Sequence, residues 1–113
     1  MKNLNSILLE GDLIEDPVYL PAPSEDAIDH CSFSLDCGPT APSIPILVYG
    51  RLALRCHELL DKHSSVRVVG CVIHDTEASA TTGTFTLAVV AEHVEIKPVS
   101  VRSPALAEAA DAF

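Results

Sequence analysis

Apolar and polar residues alternate through most of this chain, the pattern of strands that bury one face and wet the other. Cys31, Phe33, Leu35 and Cys37 fall on one side of an extended segment, with Ser32, Ser34 and Asp36 on the other. Ile44, Ile46 and Val48 oppose Pro45, Leu47 and Tyr49 in a strand whose two sides are both largely apolar. Pro45 has no ladder donor and suits an edge or the first residues of that strand. After Gly50 the period changes. Leu52, Cys56, Leu59 and Leu60 recur at helical spacing, with Arg55, Glu58 and Asp61 on the outer side, which predicts a short helix of about three turns. Val66 to His74 and Thr84 to Ile96 read as strands, and the polar run Asp75 to Gly83 reads as the hairpin loop between them. An opening strand runs up to Asp16-Pro17, so the predicted order is strand, strand, strand, helix, strand, strand. That is an all-β class with one short helix between strands 3 and 4. Phe33 and Phe85 are expected in its core.

Two segments interrupt the alternation. Pro21 to Asp26 is a turn-rich, acidic insertion between the first and second strands, and Cys37 to Ser43 is a proline-punctuated connection between the second and third. After Lys97 the chain leaves the strand pattern at Pro98, and Ser103-Pro104 is a start signal for a short helix through Ala110. The expected organisation is one domain over residues 1–97 and a short C-terminal tail over 98–113. A chain of 113 residues has room for a single modest core, and 48% hydrophobic content is enough to build it.

Charge narrows the candidate chemistry. Seven basic residues against sixteen acidic give a formal net charge of -9, which repels any polyanion unless the few cations cluster. The aromatics are Tyr19, Tyr49, Phe33, Phe85 and Phe113, and there is no tryptophan. A broad basic nucleic-acid face is excluded. Glu10 and Asp12 break the first apolar stretch, so no secretory leader is expected, and no apolar run reaches the ~20 residues of a membrane helix. The expectation is a cytoplasmic protein with no membrane partner. Cys31, Cys37, Cys56 and Cys71 are scattered with no Cys-x-x-Cys pair and read as reduced thiols. His30-Cys31 and Cys56-His57 could in principle make a zinc site, but both cysteines fall on apolar faces, and neither metal nor cofactor is expected. No Gly-rich phosphate loop or nucleophile-base spacing suggests an enzyme.

Asn5, Ile7, Leu9, Gly11, Leu13, Asp16 and Pro17 form a first element of aliphatics with a glycine at the bend and a closing Asp-Pro turn. Phe33-Ser34-Leu35, Val48-Tyr49-Gly50-Arg51-Leu52-Ala53, Leu59 to Gly70 and Glu92-His93-Val94 follow in order. This series resembles the bacterial single-stranded-DNA-binding protein family over roughly residues 4 to 96. The resemblance implies a five-stranded OB-fold barrel. Asp36 stands where the family has alanine, and His63 where it has a turn glycine.

The resemblance also implies a site. Family members hold single strands with aromatic rings that stack on bases and with cations along the backbone path. Of those aromatic positions only Tyr49 has a match here, at the strand-to-helix junction, and packing against Leu47 is the alternative role for it. Arg51, Arg55, Lys62 and Arg67 fall around the helix and the strand after it, as phosphate contacts or as partners of Glu58 and Asp61. Losing about three stacking contacts of ~1–3 kcal/mol each implies weaker binding than is usual in the family. Family members end in an acidic tip that docks on replication and repair partners. Here Asp111 and Phe113 keep an acid and a terminal phenylalanine, without the aspartate run or the proline, and a frayed end is the alternative. The expected function is single-stranded DNA binding in replication, recombination or repair by a homo-oligomer, a dimer or tetramer. The alternative is an OB-fold protein-interaction subunit that has lost DNA binding and assembles with a partner or paralogue.

Overall fold

The structure is a computed structural model and describes residues 3–84 and 86–97. Phe85, the expected helix after Ser103 and the tip residues Asp111 and Phe113 lie outside the described residues.

Among the described residues six strands and two helices follow one another: β1 (Ile7–Leu13), β2 (Val18–Leu20), β3 (His30–Asp36), β4 (Ile44–Tyr49), α1 (Arg51–Leu59), β5 (Ser65–His74), α2 (Thr76–Thr82) and β6 (Leu87–Ile96). The strands hydrogen-bond in the order β1-β5-β6-β4-β3-β2, and β1 pairs with β3 as well. That last contact, Asp12 opposite Asp36 and Leu13 opposite Leu35, closes β1, β3, β4, β6 and β5 into a five-stranded barrel. All pairings are antiparallel except β4 with β6, which runs parallel at Ile46–Val89 and Leu47–Val90. With α1 between its third and fourth strands, this is an OB-fold barrel.

Alternation builds the interior as the sequence predicts. Leu13, Cys31, Leu35, Ile46, Val48, Val66 and Val68 are buried side chains from β1, β3, β4 and β5, and Phe33 of β3 and Val89 of β6 join them. Each fully buried aliphatic contributes on the order of 1.5–3 kcal/mol relative to exposure. Helix α1 lays Ala53 and Cys56 on this core. Burial holds the Cys56 thiol up at about 12, so it stays a protonated apolar group. At 9 residues α1 falls short of three turns, because Leu60 already has extended geometry and is itself buried.

Three local features depart from the sequence pattern. The run Asp75 to Gly83 is not a hairpin loop but contains α2, which buries no residue. Caps hold it instead of packing. The Asp75 carboxylate accepts from the Ala78 N–H at 3.0 Å, and Gly83 ends the helix in the left-handed region with its N–H donated to the Ser79 carbonyl at 2.9 Å. The segment before the acidic insertion carries the short strand β2, which adds to β3 outside the barrel. At the α1–β5 turn, His63 keeps the backbone of a glycine, at φ 75°. Its N–H donates to the Leu13 carbonyl at 3.0 Å, and Ser64 bonds back to Asp61, so the surrounding hydrogen bonds hold an otherwise costly conformation.

The opening element is anchored by side chains as well as by its ladder. Asn5 donates to the Val72 carbonyl at 2.7 Å and accepts from its N–H at 2.9 Å, and Asp16 accepts from the Lys62 N–H at 2.7 Å. Gly11 is required by close approach. A Cβ there would lie 2.3 Å from the Asp36 carbonyl, where β1 leaves β5 and turns onto β3.

Candidate nucleic-acid interface

The outer face of β2, β3 and β4 is read from their registers. Leu20, His30 and Tyr49 stand in one cross-strand row, and Val18, Ser32 and Leu47 in the next. Ser34 and Pro45 continue it. Tyr49 is 45% exposed, and its ring lies 5.1 Å from that of His30 at an interplanar angle of 32°. Packing alone therefore does not account for Tyr49: it presents an aromatic face to solvent and shares that face with an imidazole.

Two cavities open on this face, the first beside the rings. One of about 390 Å³ lies between the strand face and the β5–α2 segment, lined by His30, Leu47 and Tyr49 on one side and by Ile73, His74, Asp75, Thr76 and Glu77 on the other. The second, about 280 Å³, lies where Glu15, Asp16 and Val18 meet Ser32, Phe33, Pro45 and Leu47. The face is thus apolar and aromatic along its middle and acidic at both ends. No lysine or arginine among the described residues sits on β2, β3 or β4.

Its cations come from α1. Gly50, at φ 70°, turns β4 directly into the helix, and its carbonyl accepts from the N–H groups of Ala53 and Leu54 at 3.0 and 3.3 Å. This places exposed Arg51 two residues from Tyr49, with Arg55 a turn further on. Arg55 lines a different cavity, with Leu52, Leu59, His93 and Ile96. Lys62 follows the helix, beside Asp16 through its main-chain N–H. Arg51, Arg55 and Lys62 make no ion pair among the described residues, so the alternative role as partners of Glu58 and Asp61 is not seen there.

Arg67 is elsewhere. It projects from β5, two strands around the barrel from β4, and pairs with Glu10 at 2.9 Å and Glu95 at 3.8 Å. Lys97 also reaches Glu10, at 2.9 Å. These hydrogen bonds, first from Lys97 and then from Arg67, hold the Glu10 carboxyl below the usual carboxylate range. Because the folded state lowers that affinity for protons, the network stabilises the fold above the ordinary carboxylate range and is lost as pH falls through it. It spans exposed groups, so solvent and salt weaken it.

The insertion is seated by a second ring pair. Tyr19 on β2 stacks on His57 of α1 with centroids 4.5 Å apart and planes at 15°. Asp29 accepts from the Ala22 N–H at 2.8 Å and from the Tyr19 hydroxyl, which lowers the Asp29 carboxyl and raises the Tyr19 phenol. Cys31 and Cys56 lie in the core, as their apolar positions predict, while their neighbours His57 and His30 each pair with a tyrosine, His57 stacked on Tyr19 and His30 tilted against Tyr49.

Solved structures share this architecture. The single-stranded DNA binding protein from Thermus aquaticus matches with a TM-score of 0.71 at 20% identity, over 88% of this chain and 43% of that one. A deletion mutant of the Thermus aquaticus protein gives 0.71 at 22% identity, over 89% and 44%. The SSB domain of a Synechococcus sp. protein gives 0.68 at 12%, over 84% and 98%. The chain has the fold of single-stranded-DNA-binding proteins. It spans less than half the length of the Thermus aquaticus protein. No protein-family model and no curated protein matches it in sequence.

His30 is the site residue that sequence reasoning missed, having been weighed only as a metal ligand. Its pairing with Tyr49 depends on the β3–β4 register across the Cys37 to Ser43 connection. Alternation says which residues share a face, not which residue on the next strand stands opposite.

Proposed function

We propose that this protein binds single-stranded DNA, weakly and without strong sequence preference, on the outer face of β3 and β4. The observation that carries this reading is the exposed Tyr49–His30 ring pair beside a cavity on an OB-fold barrel, with Arg51, which makes no ion pair among the described residues, close along the chain. Bases would stack on the rings, and Arg51 and Arg55 would meet phosphates. Lys62 is at most a peripheral contact, and Arg67 is neutralised on another wall. With two phosphate contacts the affinity for a labelled oligo-dT, followed by fluorescence anisotropy, should fall with a log-log salt slope of about -1.5. Absence of binding at low salt with tens of micromolar protein would sink the proposal.

Replication, recombination or repair is the context in which such binding would serve, with Asp111 and Phe113 as the contact to partner proteins. The protein acts as a binding protein in this reading, with no catalytic step. A homo-oligomer is part of the proposal. Along β1, Ile7 to Gly11 pair only with β5 among the described residues, which leaves their other edge open there, and Leu8 and Leu4 beside it are 61% and 91% exposed. Light scattering should report a dimer or tetramer in wild type and a smaller species in Leu8→Glu.

A second reading draws on the acidic ends of the face. Glu15, Asp16, Asp75 and Glu77 flank the apolar rows and suit a basic protein surface better than a polyanion. On that reading the chain is an OB-fold interaction subunit. It would co-purify with a partner or paralogue and leave oligo-dT unbound.

A further inference from the structure

We infer that His30 is a second, protonatable contact for the nucleic acid, so that binding at this face tightens as pH falls through the imidazole range. The inference rests on the proposed single-stranded DNA site and adds to it a residue and a control. Three observations meet at His30. It stands directly opposite Tyr49 in the β3–β4 ladder, with the rings 5.1 Å apart. It lines the cavity of about 390 Å³ between the strand face and α2. And the strands that form the face contribute no lysine or arginine among the described residues, so this imidazole is the group on them able to become a cation.

The groups facing His30 set the sign. Across the ladder is the Tyr49 ring, and on the other side apolar Leu20. Across the cavity are Asp75, Glu77 and His74, the last with its Nε2 3.0 Å from the Ser79 hydroxyl. Next along the chain, the Asp29 carboxylate is engaged by the Ala22 N–H and the Tyr19 hydroxyl, and Arg51 lies beyond Gly50. With neutral imidazoles this cavity carries the two charges of Asp75 and Glu77 and repels phosphate. Imidazoles change charge between about pH 5 and 8. Protonation of His30 offsets one of those carboxylates and puts a cation beside the stacking ring, within reach of a backbone whose base lies on Tyr49. Neutral, His30 still offers a flat ring on which a second base can lie. The residue therefore acts in two separable ways, by its ring and by its charge.

The test measures affinity for labelled oligo-dT by anisotropy at pH 8 and pH 5.5, at matched ionic strength, for wild type, His30→Phe, His30→Ala and His93→Gln. Wild type should tighten about five- to tenfold on acidification, with the salt slope steepening by about 0.7 as one more cation meets phosphate. His30→Phe keeps a ring and loses the proton. It should bind within about twofold of wild type at pH 8 and show at most half of the logarithmic pH response. His30→Ala should bind several-fold more weakly at both pH values. His93→Gln removes an imidazole from β6 that borders the cavity shared with Arg55, and should keep the wild-type response. A flat wild-type profile, or a full response retained by His30→Phe, overturns the inference while leaving the DNA-binding proposal standing. No binding to any oligomer at either pH overturns both. Circular dichroism of each variant separates a lost contact from a lost fold.

Discussion

Tyr49→Ala is expected to weaken binding of oligo-dT by about 5- to 150-fold, the range of one stacking contact of ~1–3 kcal/mol. The effect should sit at the upper end for this protein, because no other tyrosine, phenylalanine or tryptophan among the described residues lies on the β3–β4 outer face. Tyr49→Phe should bind like wild type, since the stacking surface is kept. The fold should survive either change. Tyr49 is 45% exposed, outside the core cluster, so thermal unfolding of the variants should stay within a few degrees of wild type. Anisotropy and a melting curve on the same samples check both statements. A Tyr49→Ala protein that binds oligo-dT as wild type does would move the site off this face.

Gly70→Ala should have the largest effect on stability. A Cβ at that position would lie 2.0 Å from the Val90 carbonyl oxygen and 2.9 Å from its carbon, and both atoms are backbone. No side-chain rotation relieves the clash. The β5–β6 ladder is already irregular there, with its register shifting between Val69 and Gly70. A methyl would have to push β6 away from β5 along the ladder that places Val90 opposite Cys71 and Val89 opposite Val72. The expected cost is about 3 kcal/mol or more, above that of an ordinary overpacked core position because the obstructing atoms are main chain. Chemical denaturation should show a lower midpoint. A variant as stable as wild type would mean that the two strands separate at the bulge at little cost.

Much of the fold was legible in the chain because burial in a small barrel imposes a period of two. Cys31, Phe33 and Leu35 read as one inward face and are one, and Val66 and Val68 likewise. Helix α1 announced itself by a period that placed Cys56 on the core, and Gly11 by its position at a bend. Where apolar periodicity was absent, the reading failed. Helix α2 buries nothing, so its signals were confined to Asp75 and Gly83 at its ends, which a polar loop would also carry. Strand β2 is three residues long and lies on the barrel's outside, too short for alternation to register. His63 departs from the turn residue that its position favours, yet hydrogen bonds from both flanks keep the turn.

The candidate site was legible only in part, and for a different reason. Tyr49 and Arg51 are near neighbours in the chain, so their association survives in one dimension. Arg67 also follows the helix cations closely in the chain, but a β-strand carries it to another wall, where Glu10 and Glu95 take up its charge.

By itself the sequence determined the succession of the five barrel strands along the chain, most of their inward residues, the helix between the third and fourth of them and the excess of acid, because each is a property of local pattern or composition. Tertiary structure alone decided that His30 meets Tyr49, that Asp75 and Glu77 face them across a cavity, and that Arg67 is spent on an ion pair. Those relations depend on register between strands and on barrel closure. Both are set by packing over long sequence separations, to which the local pattern is blind.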